Sequence, residues 1–128
     1  MKRSLLEIYA LAVCFVAVIS VGVLSGFALY DVAQIAAPAF TLPSYQWKYY
    51  QSNERFRAWF DSSRKVLEGL SDEQVTKRRQ DEYAAGLSVE RHDGEKGLLR
   101  MVLFILVGVV AFVLHWKVAK RARDSFNT

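Results

Sequence analysis

Two uninterrupted apolar runs dominate the chain, one near each end, and the charged residues lie between and outside them. From Ile8 to Tyr30 the sequence reads IYALAVCFVAVISVGVLSGFALY, 23 residues without a charge. At about 1.5 Å of rise per residue, Tyr9 and Tyr30 would stand roughly 31 Å apart on a helix. That separation matches a hydrocarbon core of about 30 Å, with an aromatic ring at each interface. A cleavable signal peptide has an apolar region of only about 7–15 residues, so the run reads as a retained anchor. The second run is uninterrupted from Met101 to Leu114. With Leu98 and Leu99 before it and His115-Trp116 after it, it spans roughly 28 Å. Arg100 lies one turn inside the boundary, where its long stem lets the guanidinium snorkel to the headgroups. The pattern predicts an all-α membrane protein: helix 8–30, an extra-membrane helical loop 31–97, helix 98–116, and tails 1–7 and 117–128.

Within the loop the period changes to that of amphipathic helices. An extension of the first span runs to about Ala37, where Pro38 and Pro43 force a turn. A helix over about 43–68 follows, with Thr41 or Ser44 as its cap. Tyr45, Tyr49, Phe56, Trp59/Phe60 and Leu67 recur on one side of it. Trp47 widens the aromatic zone. This stripe has two readings: packing on the second loop helix or a neighbouring protein, or lying along the headgroups as an interfacial anchor. Gly69-Leu70 ends the helix. Ser71 and Gln74 form a capping box for the next, over about 72–91, with Asp72 and Glu73 at the positive end of its dipole. Gly86 and His92-Asp93-Gly94 are candidate breaks before the second span. The loop thus reads as a helical hairpin.

Charge sets the orientation. Lys2, Arg3, Lys117, Lys120, Arg121 and Arg123 flank the spans on the tail side against Glu7 and Asp124. The loop carries ten basic and eleven acidic residues. By the bias of basic residues toward the cytoplasm, both tails face inward. The net charge of +4 is too dispersed to point to nucleic acid. Lys77-Arg78-Arg79 could meet anionic lipid or a partner, but Asp81 and Glu82 neutralise it, so it reads first as a solvated helix face.

Chemistry is scarce. Cys14 is the single cysteine and lies within the first apolar run, so no intramolecular disulfide is available. His92 and His115 would lie roughly 34 Å apart on one helix, too far to share a metal. No phosphate-binding glycine loop occurs, and no catalytic residue, cofactor or metal site is expected. The expectation is a protein without enzymatic activity. Apart from Arg100 neither span holds an ionisable group of the kind that marks an ion path.

Small residues carry the positive signal. Gly22 and Gly26 form a GxxxG pair, and Ala10, Cys14, Ala17, Ser25 and Ala28 lie toward one side of the same helix. Gly108 and Ala111 offer a receiving surface on the second. Removing side chains lets helix backbones approach closely in lipid. The contact is either the intramolecular hairpin or a second protein or copy. Tyr9, Tyr30, Trp47, Trp59, Phe60 and Trp116 are the expected interface anchors. The partners expected are the lipid bilayer and other membrane subunits or copies of the chain. The leading reading is an accessory or self-assembling membrane subunit; the alternative is a small pore former of holin type.

The ALYD sequence ending the first span, APAFTL (37–42), QSNERF (51–56) and LSDEQV (70–75) together resemble a family of small bacterial inner-membrane proteins of unassigned function. The resemblance covers residues 4–75. It implies a two-span protein of the bacterial inner membrane with a helical loop, and brings no catalytic or binding residues with it.

Overall fold

A computed structural model describes residues 5–64 and 67–125. Five helices follow in order: α1 Leu5–Ala36, α2 Pro38–Thr41, α3 Ser44–Tyr49, α4 Asn53–Arg64 and α5 Asp72–Asp124. No strand occurs among the described residues. α1 and α5 are each long and apolar enough to cross a membrane. Lys2 and Arg3, two of the six basic residues behind the predicted orientation, lie outside the described residues, as do residues 65–66 of the predicted 43–68 helix.

The chain forms two compact units. One comprises α1 up to Asp31 together with the chain from Lys96 onward; the other runs from Val32 to Glu95.

In the second unit the prolines act as expected: α1 stops at Ala36, and Pro38 opens a single helical turn whose Thr41 hydroxyl donates back to the Pro38 carbonyl at 3.2 Å. The predicted 43–68 helix is corrected to two pieces. α3 ends at Tyr49, and Ser52 starts α4, accepting the Arg55 N–H on its hydroxyl at 3.3 Å and the Phe56 N–H on its carbonyl at 3.0 Å. Breaking the chain there folds the aromatic segment onto itself, so Tyr49 stacks on Trp59 at 4.9 Å. Phe56, Leu67 and Val75 are fully buried, with Tyr50, Phe60 and Leu70 packed around them. Gly69 makes the turn into α5 with φ of 86°, a left-handed conformation that costs glycine little. Arg57 ties that turn by donating to the carbonyls of Leu67 and Leu70 and to the Asp72 carboxylate at 3.4, 3.0 and 3.0 Å.

The capping box is formed as read. Ser71 N–H donates to Gln74 Oε1 at 3.0 Å, and Gln74 N–H donates to Ser71 Oγ at 3.3 Å. The predicted stop near 91 is corrected: α5 runs unbroken from Asp72 to Asp124. Gly86 and Gly94 lack the positive φ of a helix end, and a helical glycine costs only about 1 kcal/mol relative to alanine. Gly86 also faces the packed side of the unit. A methyl group on Gly86 would touch the Tyr50 hydroxyl and Leu42 at 3.7 and 3.9 Å.

Candidate functional site

The first unit is built on a seam between α1 and α5. The α1 residues withdrawn from the surface include Glu7, Ala10, Cys14, Ala17, Val21, Leu24, Ala28 and Asp31, a set spaced alternately three and four apart. Those of α5 include Gly97, Met101, Ile105, Gly108, Phe112, His115, Ala119 and Ala122. A mean step of about 3.5 residues is the period of helices wound around each other with a left-handed coil. Contacts at successive heights show the helices to be antiparallel. Arg123 Nε donates to Glu7 Oε1 at 3.1 Å. Tyr9 meets His115 edge to face at 6.1 Å, and the Cys14 thiol points to the Phe112 carbonyl at 3.7 Å. Further along, a methyl group on Gly108 would stand 2.9 Å from Val21 Cγ2, and one on Gly97 would collide with the Asp31 carboxyl group.

The most deeply buried apolar residues of this unit are small, while many of its large ones face outward. Ala10, Cys14, Ala17, Ala119 and Ala122 are buried. Phe15, Ile19, Phe27, Leu29, Leu103, Phe104, Leu106 and Val107 point outward, each more than half exposed. A water-soluble protein reverses this order and seldom leaves a contiguous apolar patch beyond a few hundred Å². In lipid the arrangement is natural, because small residues gain close backbone contact while large ones lose nothing by facing acyl chains. An open groove of about 180 Å³ lined by Ala17, Val18, Val21, Val109 and Phe112 continues the apolar exterior beside the seam.

The sequence-derived packing residues divide between seam and surface. Ala17 and Gly108 are in the seam, and Ala111 is half-buried beside it. Ser25 is half-buried and donates to the Val21 carbonyl of its own helix at 2.7 Å, using up its hydrogen. Gly22 and Gly26 are exposed, and a methyl group on either would meet nothing within 4 Å. The hairpin therefore makes no use of the GxxxG pair.

The aromatic residues divide as well. Tyr9, Tyr30 and Trp116 are about half exposed, and Trp116 stacks on Phe112 at 5.9 Å. Trp47 is 46% exposed, whereas Trp59 and Phe60 are half-buried. Phe60 packs against Phe56 at 5.0 Å and receives the Arg78 guanidinium over its ring at 5.7 Å. Arg78 is thereby placed on an aromatic face. Tyr50 lies near Tyr83, ring to ring at 5.3 Å. Burial, and secondly the Glu82 carboxylate, push the Tyr50 phenol above its ordinary pKa.

Sequence reasoning passed over the charged ends of the seam, Glu7 with Arg123 and Asp31 with Gly97. The signal was present: Glu7 and Asp31 continue the three-four spacing of Ala10, Cys14, Ala17 and Ala28 in both directions. Among the described residues no three His, Cys, Asp or Glu side chains come together as a metal site would require. Comparison with known protein families, curated proteins and solved structures gives no match.

Proposed function

We propose that the chain is a non-enzymatic integral membrane subunit, accessory to a larger membrane complex or assembling with copies of itself through its transmembrane helices. The observation that carries this reading is the inside-out distribution of the first unit, with alanine, glycine and cysteine its most deeply buried small residues and most of its phenylalanine, leucine and valine exposed. The exposed Gly22 and Gly26 add a surface on which another helix backbone can approach closely. The resemblance to small bacterial inner-membrane proteins points to the plasma membrane of a bacterium. The basic residues of the tails support a reading with both termini in the cytoplasm.

Orientation is tested by labelling in intact cells. In a Cys14→Ala background, a cysteine replacing Ser88 is expected to react with a membrane-impermeant maleimide, and one replacing Ser125 to react only after lysis. The opposite pattern would invert the topology. Equal labelling of both in intact cells would remove the membrane reading altogether.

A further inference from the structure

The fold divides the aromatic segment after the first span into an inward and an outward set. Tyr49 stacks on Trp59, and Tyr50, Phe56 and Phe60 belong to the buried core and its surround. Phe40, Tyr45 and Trp47 instead point outward, and Phe40 is 92% exposed. The exposed positions of α3 are Ser44, Tyr45, Trp47 and Lys48. At about 100° per residue they fall on one half of that helix, with Lys48 between the two aromatic side chains. Charge follows the same division. From Val32 to Asn53 the only charged residue is Lys48, whereas every acidic residue of the loop except Asp31 lies at Glu54 or beyond.

Exposed phenylalanine, tyrosine and tryptophan beside a lysine, with no carboxylate among them, is the composition that settles at a lipid headgroup boundary. The rings bury their apolar bodies among acyl chains and keep the phenol and indole N–H in the wet layer, while the ammonium meets phosphate. The covalent tether agrees. From Tyr30, α1 continues only to Ala36, a rise of about 9 Å. That is close to the thickness of one headgroup layer, about 5–8 Å, and Pro38 then turns the chain. We propose that α2 and α3 form a lipid-docking surface. Phe40, Tyr45 and Trp47 insert into the headgroup boundary of the leaflet from which α1 emerges, and Lys48 meets its phosphates. The inference rests on the reading of α1 and α5 as membrane spans. It moves the interfacial anchors of the loop from Trp59 and Phe60, whose rings the core holds, to Phe40 and Tyr45 beside Trp47.

Nitroxide labels on the full chain provide the test. In a Cys14→Ala background, single cysteines replacing Phe40, Trp47, Ser88 or Ile19 are spin-labelled in nanodiscs of phosphatidylethanolamine and phosphatidylglycerol. All four positions are exposed, so the labels leave the packed core intact. Power saturation compares collisions with oxygen, which concentrates among acyl chains, and with a water-soluble nickel chelate. The oxygen-to-nickel ratio at positions 40 and 47 is expected to be severalfold above that at 88 and below that at 19, which faces outward from α1. A second reading keeps Trp47 itself. With Trp59→Phe and Trp116→Phe, lipids brominated near the headgroup end of their chains should quench its emission more than lipids brominated at the chain ends. A water-like ratio at 40 and 47 with a lipid-like ratio at 19 overturns the docking surface and leaves the spans standing. A water-like ratio at 19 as well removes the membrane reading beneath it. Low collision rates with both reagents at 40 and 47 would mean that protein covers the face, and would overturn the proposal equally.

Discussion

Phe56→Ala is expected to unfold the unit between the two long helices. Phe56 is fully buried and, among the described residues, shares the centre of its core with Leu67 and Val75, so its ring is a large share of what holds the unit together. A buried phenylalanine replaced by alanine costs about 3–5 kcal/mol, a large fraction of what so small a core can supply. Hydrogen exchange should become fast throughout α4 and the first turns of α5, and the near-ultraviolet signal of the stacked Tyr49 and Trp59 should collapse. Amides of α1 between Ala10 and Ala28 should keep their protection, since they belong to the other unit. Retained protection in α4 would mean that this aromatic core is not what holds the loop together.

The second large effect separates two glycines of identical chemistry. Gly108→Leu should destabilise the hairpin by about 1–3 kcal/mol, the usual range for overpacking, because the first added carbon already crowds Val21 at 2.9 Å. No hydrophobic force within lipid compensates for the lost backbone approach. Gly22→Leu adds the same side chain to an exposed position with nothing within 4 Å, and should leave hairpin stability within about 0.5 kcal/mol. Thermal unfolding in matched micelles compares the pair. Equal losses would remove the seam described above, and with it the distinction between an internal and an external glycine face.

The positions of these glycines also show where sequence reasoning reaches its limit. The two apolar runs, the extension of α1 to Ala36 and the Ser71–Gln74 capping box are local features, fixed by residues at most a few turns apart. All are legible in the chain. The choice of seam face is not, because α1 is apolar all round and hydrophobicity names no preferred side. What selects the face is the fit of Ala10, Cys14, Ala17 and Ala28 against residues of α5 some 70–110 positions away. GxxxG suggested Gly22 and Gly26 by pattern, yet they fall outside the three-four spacing of the seam. The break at Tyr50–Ser52 was hidden by the aromatic period running through it, and only the Ser52 cap marks it. Gly86 and Gly94 read as breaks because glycine weakens a helix. The cost of each is only about 1 kcal/mol, and α5 continues through both. The Asp31–Gly97 pairing needed both an acid and a distant glycine, neither informative alone.

The central claim is that this hairpin acts by joining other membrane proteins or copies of itself. Native mass spectrometry of the full chain, extracted gently from membranes, tests it directly. The account predicts particles heavier than the 14.6 kDa single chain. Gly22→Ile with Gly26→Ile should shift them toward the single chain while the protein remains inserted, and Val23→Ile with Leu24→Ile should not. Because individual helix contacts in lipid contribute about 1 kcal/mol, partial rather than complete dissociation is the expected result of the glycine pair. Only single chains from the unmodified protein, with no partner recovered across mild detergents and lipid nanodiscs, would contradict the claim.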